Sequence, residues 1–492
     1  MRKDKGLNGE LDRLPQLTWM LFLKFLDDLE REDETRAVFA GKERASIIPM
    51  GYRWRDWAAH ADGITGNELI RFVSADEFVG PDGQKTTGLL AILRELPSTG
   101  DADRRAVVRR VFRGVSNRMN NGYLMREVLN KLNGISFTSQ DEIHTLSAIY
   151  EGMLREMRDA AGDSGEFYTP RPLVALMVAV TDPRLGETIF DPAAGTGGFL
   201  VGAYEHLKDQ VQRDPERRLL QTRTLYGNEP KSLPLMLCEM NLLLHGVLVP
   251  NVEERNSLAV RLAELGDSER VDAILTNPPF GGEEEASIKQ GFPADRQTSE
   301  TALLFLQLIM RRLRRAGHEG KPGGRAAVVV PNGTLFAGGV AARIKEDLLK
   351  DFRLHTVLRL PRGVFSPYTD IQTNVLFFDR NGVTDEVWYY EHVPPGERKN
   401  YTKTNPLKFE EFGPLLEWWS HRDENERAWK VSVDYLLRYD GGKLVSADLD
   451  RKNPTSVEEL ERRPLPALLD DMERAQREVA DLIEGLRSAT AT

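Results

Sequence analysis

From residue 1 to about 145, apolar positions recur at helical spacing and no run of alternating apolar and polar residues is sustained. The stretch LPQLTWMLFLKFLDDLE, residues 14–30, is apolar on nearly every face before it turns acidic, with Pro15 near its first turn. Such a helix belongs either at the centre of a bundle or against a partner. TGNELIRFV opens with a capping box, Thr65 and Glu68. Residues 104–131, RRAVVRRVFRGVSNRMNNGYLMREVLNK, read as helical and basic.

After about residue 146 the rhythm changes. ETIFD, TLYGNEP, VDAILTN, GRAAVVVP, LHTVLRL and TNVLFFD are short apolar runs of strand length, separated by helical segments such as SETALLFLQLIMRRLRR. This alternation predicts an α/β sheet covered on both faces. TNVLFFD followed by EVWYYEH suggests added antiparallel strands at one end, and the region closes near residue 400. The last segment is helical again. PTSVEELERR carries a capping box, Ser456 and Glu459. Beyond Pro464, positions Leu465, Leu468, Met472, Ala475, Val479, Leu482 and Leu486 recur at spacings of three and four, a heptad seam. This helix either packs on its own domain or finds its partner in another chain. The expected organisation is an all-α region over 1–145, an α/β catalytic region over 146–400 and a C-terminal region with a helical tail over 401–492.

The 492 residues carry a net charge of −10. An acidic chain does not coat nucleic acid by bulk electrostatics, so any DNA substrate must meet a local basic surface or be delivered by another subunit. Arg104, Arg105, Arg109, Arg110, Arg113 and Arg118 form one such candidate, and Arg311, Arg312, Arg314 and Arg315 another; a solvated helix face is the plainer reading of both. The single cysteine, Cys238, lies in an apolar helical pattern and suits a reducing compartment. The N-terminus is too polar for a secretory signal, and no apolar run reaches the ~18 residues needed to span a bilayer. A soluble cytoplasmic protein is expected.

Candidate chemistry begins at TIFDPAAGTGGFL, a strand, a turn with Gly195, Gly197 and Gly198, and an apolar helix start. Glycines allow close approach of backbone to ligand, and the helix N-terminus favours a carboxylate or phosphate. Asp191 at the strand end would repel a pyrophosphate but suits an ammonium group. S-adenosylmethionine carries both an ammonium and a carboxylate. Glu229, at the tip of the next strand, stands where such folds hold ribose hydroxyls, unless it is a surface acid. Asn256 could accept from an adenine amino group or be a turn residue. In GEFYTPRPLVALMVAV, Thr169 reads as an N-cap and Pro170 as the first helical residue. Phe167 and Tyr168 precede that helix and either wall a ligand or form a hydrophobic staple.

The stretch ILTNPPFGG ends a buried strand in an amide, a diproline and an aromatic ring. Proline cannot extend a β-ladder, so the turn is rigid. The Asn277 side-chain oxygen and the Pro278 carbonyl form a two-acceptor fork suited to an exocyclic –NH₂ group, and Phe280 offers a face for a planar ring. Proximity of amine and methyl donor supplies much of the rate. No metal cluster, catalytic triad or paired carboxylate stands out. In a duplex the target base must be flipped to reach the fork.

The order GEFYTPR, DPAAGTGGFL, NEP, NPPF resembles the gamma arrangement of amino-methyltransferases, and more closely the modification subunit of type I restriction-modification systems. The resemblance extends through LTWMLFLKFLDDLE, MNLLLHG, GGRAAVVVPNGTLF and LHTVLRLPRGVFSPYTDIQTNVLFF to the C-terminal tail. It implies an N-terminal helical domain, a Rossmann-like S-adenosylmethionine-dependent DNA adenine-N6 methyltransferase domain and a helical tail for subunit assembly. On this chain Glu166, Phe167, Tyr168, Thr169, Pro170, Arg171, Asp191, Gly195, Thr196, Gly197, Gly198, Glu229 and Asn256 would bind cofactor, although many relatives place an acid at the position of Asn256. Asn277, Pro278 and Phe280 would handle the flipped adenine. The resemblance further implies two such subunits around one DNA-specificity subunit on double-stranded DNA, joined by an ATP-driven restriction subunit. The alternatives are cytosine-N4 methylation, methylation of a protein glutamine, and an inactive assembly component.

Overall fold

The computed structural model describes residues 1–455, except 43–44, 81–82, 99, 101–102, 138–139, 161–167, 283 and 397, together with 476–477. The Ser456–Glu459 capping box and the heptad tail lie outside the described residues. Residues 1–451 form one compact unit.

Helix α1, Glu10–Phe39, starts earlier than its apolar pattern, so Pro15 falls inside its second turn. There proline forgoes only one backbone bond. Trp19, Met20, Phe22 and Leu23 are almost wholly buried, which puts α1 at the centre of a bundle with α2 (Arg104–Arg113) and α3 (Gln140–Ala160). Thr65 is the residue before the helix Gly66–Ser74, but its side chain makes no capping bond. A small hairpin pairs Glu77–Val79 with Lys85–Thr87 inside this otherwise helical region. Strands of three residues carry too little alternation to show in a sequence.

The central sheet has nine strands: β1 Ile189–Asp191, β2 Leu225–Asn228, β3 Asn251–Glu253, β4 Ala273–Thr276, β5 Arg325–Pro331, β6 Arg353–Arg359, β7 Thr373–Asp379, β8 Glu386–Glu391 and β9 Ala428–Ser432. Their order is β9-β8-β6-β7-β5-β4-β1-β2-β3. Strands β1 to β5 run parallel, β7 runs antiparallel between β5 and β6, and β9 runs antiparallel to β8. β8 departs from the antiparallel expectation and lies parallel to β6. Both flanks of β7 are already paired, so the next segment must cross to the free edge of β6. β9 lies past residue 400, where the sequence pattern places the end of the α/β region.

Helices α4 (Arg171–Thr181), α5 (Gly198–Lys208) and α6 (Ser232–Leu244) build one core with Ile189, Leu275 and Val329. Helices α7 (Thr301–Arg312) and α8 (Val340–Asp351) build the other with Phe190, Ile274 and Val328. Adjacent strand residues thus go to opposite cores, as the pleat requires. Met236, Met240 and Leu243 of α6 turn away from the sheet into the helical bundle, so one helix serves both regions. No helix among the described residues is long and apolar enough to cross a membrane.

Candidate functional site

Because β1, β2, β4 and β5 are parallel, the loops after Asp191, Asn228, Thr276 and Pro331 gather at one edge, where ligands bind in such sheets. The first of these loops is tight. Gly195 and Gly197 have φ of 54° and 77°. A Cβ on Gly197 would stand 2.7 Å from Cys238 Sγ, and one on Gly198 1.8 Å from Arg171 Nη1. Glycine is required at Gly197, and a side chain at Gly198 would displace the Arg171 guanidinium. Cys238 itself is fully buried.

Asp191 is 1% exposed. Its Oδ1 accepts from Thr276 Oγ1 at 2.7 Å and Ala193 N–H at 3.1 Å, and its Oδ2 is buried with no partner. Burial pushes the carboxyl up to about 7, against the lowering by those two bonds. Glu229 is not a surface acid. It is buried, with Oε2 accepting from Gly195 N–H at 3.1 Å and Oε1 from Lys231 N–H at 3.0 Å, and burial pushes it to about 7 as well. Asp191 therefore lacks a cation among the described residues, whereas the Lys231 charge offsets part of the burial of Glu229.

A cavity of about 760 Å³ opens here, lined among others by Thr169, Arg171, Gly195, Thr196, Gly198, Glu229, Asn256 and Asn277. Asp191 lies just behind this wall, whose neighbouring residues Pro192 and Ala193 do line it. Asn277 Nδ2 donates to Thr169 Oγ1 at 3.2 Å, whereas Asn277 Oδ1 is buried and unpartnered.

Thr169 thus has a different task from the expected N-cap. α4 begins at Arg171 with Pro170 as its cap residue, and the Thr169 hydroxyl meets Asn277 instead. Arg171 lies over the Tyr168 ring, 4.6 Å from its centroid, and pairs with Glu151 of α3. Tyr168 is buried, while Glu166 and Phe167 lie outside the described residues. Asn256 Oδ1 accepts from Leu258 N–H at 2.9 Å, capping a short 3₁₀ turn, so its turn role is realised although it also lines the cavity. Pro278 is buried and Phe280 half-buried; neither lines the cavity. Phe280 meets Phe365 edge-on, with centroids 5.2 Å apart and planes at 89°.

The basic clusters are largely spent inside the molecule. Arg104 pairs with Asp33, Arg110 with Glu239, Arg113 with Glu254 and Arg118 with Asp12. Arg314 pairs with Asp272, and Arg311 donates to the carbonyls of Leu262 and Leu265. The sequence reading missed Glu151, Asn241 and Phe365. Asn241 Nδ2 bridges Glu151 Oε1 and the Thr196 carbonyl, at 3.0 and 2.9 Å. Glu151 and Asn241 sit within helices, away from any glycine- or proline-marked strand end, although MNLLLHG does hold a polar amide in an apolar helix; Phe365 does stand in such a run, PRGVFSP, after β6.

Residues 141–446 match the model of the N-6 DNA methylase family. The methylase subunit of the type I restriction enzyme EcoEI from Escherichia coli is 44% identical over 496 residues, covering 99% of this chain and 94% of that protein. A crystal structure from Vibrio vulnificus YJ016 of a modification subunit, ascribed to a type I restriction enzyme, is 60% identical with a TM-score of 0.86, covering 94% of this chain and 96% of that one. A chain from a structure addressing complex assembly and conformational transition of the type I R-M system is 38% identical with a TM-score of 0.77, covering 99% and 94%. Identity of this extent over nearly the whole length shows that the chain belongs to the N-6 DNA methylase family, among the methylase subunits of type I restriction enzymes.

Proposed function

We propose that this chain holds S-adenosylmethionine in the cavity beside Gly195, Glu229 and Asn277 and methylates N6 of an adenine flipped from duplex DNA. One observation carries this reading: Asn277, whose Oδ1 is buried and without a partner, lines the same cavity as the glycine loop. A buried acceptor left bare costs about 1–3 kcal/mol, a cost that a ligand donor would remove.

The residues suit this cofactor. Asp191 Oδ2 lacks a partner, and Glu229 is a buried acid whose burial outweighs the nearby Lys231 charge, so an ammonium and ribose hydroxyls would meet acceptors there. The Gly195–Gly198 turn would admit a carboxylate to the start of α5. When bound, S-adenosylmethionine supplies an electrophilic methyl group. Asn277 Oδ1 and the Pro278 carbonyl would accept the two N–H bonds of the target amine, drawing its nitrogen towards pyramidal geometry and freeing its lone pair. Phe280 would stack on the base, worth about 1–3 kcal/mol, and offset part of the few kcal/mol that flipping costs.

The complex would comprise a second copy of the chain, a DNA-specificity subunit that reads the target and an ATP-driven restriction subunit, in the cytoplasm. Residues 1–145 would form the helical part, 146–400 the catalytic part and 401–492 the part whose tail joins subunits. Internal pairing of the arginine clusters supports delegation of target reading to another chain. The test supplies labelled S-adenosylmethionine and duplex DNA with and without the specificity subunit, then identifies the modified nucleoside. Label at adenine N6 only with the partner is expected. Label at cytosine N4, or in protein alone, would overturn the reading.

A further inference from the structure

Most crossovers in the sheet are helical, but β3 and β4 are joined only by the 3₁₀ turns Ser257–Ala259, Leu262–Glu264 and Asp267–Glu269. These turns are too slight to cover the sheet. Tyr226 and Asn228, two apart on β2 and half-buried, face an open groove of about 1880 Å³. It is more than twice the size of the candidate cofactor cavity.

Two arginines of this groove each carry one buried N–H group with no partner. Arg270 is 6% exposed; its Nε donates to Asp267 at 2.7 Å and its Nη1 to the carbonyls of Arg311 and Leu313, yet its Nη2 is buried with no partner. Arg312 lies over the Phe190 ring, 4.5 Å from its centroid, and its Nε is likewise buried and unpartnered. No ion pair involves Arg312 among the described residues. Their backbones are neighbours, because Val271 N–H donates to the Arg312 carbonyl at 2.8 Å. Buried guanidinium groups are ordinarily paired, and an unpaired one is costly.

We propose that this groove is a second ligand site, for a mononucleotide whose phosphate is held by Arg312. A guanidinium fork suits phosphate oxygens. The Tyr226 ring offers a face for a base. Glu253, Glu254 and Glu269 also line the groove and would repel an extended acidic polypeptide, yet can accept from ribose hydroxyls. The groove is separate from the cofactor cavity but shares a wall with it: Ser257 lines both, accepting from Asn228 Nδ2 and donating to the Pro192 carbonyl.

Calorimetric titration of AMP into the full chain, with saturating S-adenosylhomocysteine in the cofactor cavity, tests this. Wild type should bind AMP more tightly than adenosine. Arg312→Met keeps the packing on Phe190 but removes the charge, and should weaken AMP at least tenfold. Arg312→Lys should fall between, and a thermal melt checks that both variants fold. No AMP binding by wild type, equal affinity for adenosine, or unchanged affinity in Arg312→Met would overturn the proposal. So would Arg312-dependent binding of a hexaglutamate peptide in place of AMP, which would make the groove a protein-docking surface. Titration of S-adenosylhomocysteine alone reports on the cofactor reading separately, and its failure would leave the Arg312 dependence of AMP intact.

Discussion

Glu151 and Arg171 meet in a two-point ion pair, with Nε and Nη2 of the guanidinium each 2.8 Å from a carboxylate oxygen. Glu151 stands on α3 of the helical bundle, and Arg171 opens α4 beside the glycine loop. Arg171 Nη2 also reaches Thr196 Oγ1 at 3.4 Å. Burial would raise the Glu151 carboxyl, but the charge and hydrogen bonds of Arg171 outweigh it and hold the group below its ordinary value. The bundle therefore braces the loop through one charged contact.

Glu151→Gln should leave Arg171 largely buried without a counter-charge. The loss is expected near the lower end of about 3–5 kcal/mol, because the side chains keep 19% and 24% exposure. A lower melting temperature and at least about tenfold weaker cofactor binding are expected, the latter being about 1.4 kcal/mol. Calorimetry and thermal unfolding check both, and unchanged cofactor affinity would cut the link between bundle and loop.

Asn277→Ala removes the bare acceptor and the bond to Thr169. Methyl transfer should fall by about 100-fold or more, as when one preorganised catalytic group is lost. Cofactor affinity should change by less than about threefold. Single-turnover transfer assays paired with binding isotherms separate the two, and equal losses would contradict the assigned role.

Phe280→Leu should cost the stacking of a base, about 1–3 kcal/mol, or roughly 5- to 150-fold in transfer efficiency. Phe365→Leu should act in the same direction and more weakly, because it removes the edge contact that orients Phe280. Fluorescence of 2-aminopurine at the target position, which reports flipping, should drop in both variants. A loss of cofactor binding instead would relocate these rings.

Cofactor binding should strengthen as pH rises through about 7, where Asp191 and Glu229 ionise in the ligand-free protein. Below that midpoint each carboxyl that must ionise contributes up to about tenfold per pH unit. The linked stability has the opposite sign. Folded values above the unfolded ones mean that these groups stabilise the free protein fully below about pH 4, and that the contribution is lost as pH rises through about 7. The gap in melting temperature between cofactor-saturated and free protein should therefore widen from pH 6 to pH 8; a constant gap would refute the linkage.

Gly197→Ala should unfold the loop or abolish cofactor binding outright. The residue has φ of 77°, and the new methyl would press on Cys238 inside a packed core. A variant that binds cofactor like wild type, measured by calorimetry, would show that the loop has slack.

The glycine loop and NPPF were legible because each is a contiguous run whose residues serve one local turn. Glu229 was legible for a related reason: a strand tip is set by the strand, and the burial pattern of TLYGNEP marks that strand. Thr169 was misplaced by one position, since the same side chain suits an N-cap and a bond to Asn277, and only the approach of β4 chose between them. Glu151 and Asn241 carry no such local mark, and the PRGVFSP run that holds Phe365 does not tell what its ring meets. They come to the site from 20 to 90 residues away because α3, α6 and the loop after β6 are packed there.

The alternation of strands and helices, the tight glycine turn and the stiff diproline can be read from the residues alone, because they depend on periodicity and on backbone freedom within a few residues. Only the packing of distant segments made β8 lie parallel beside β6, made α6 serve two cores, and left the buried acid Asp191 and the amide Asn277 each with one bare oxygen. Those outcomes depend on which surfaces compete for the same space and on which polar atoms lose water when they meet, neither of which is encoded within a single segment.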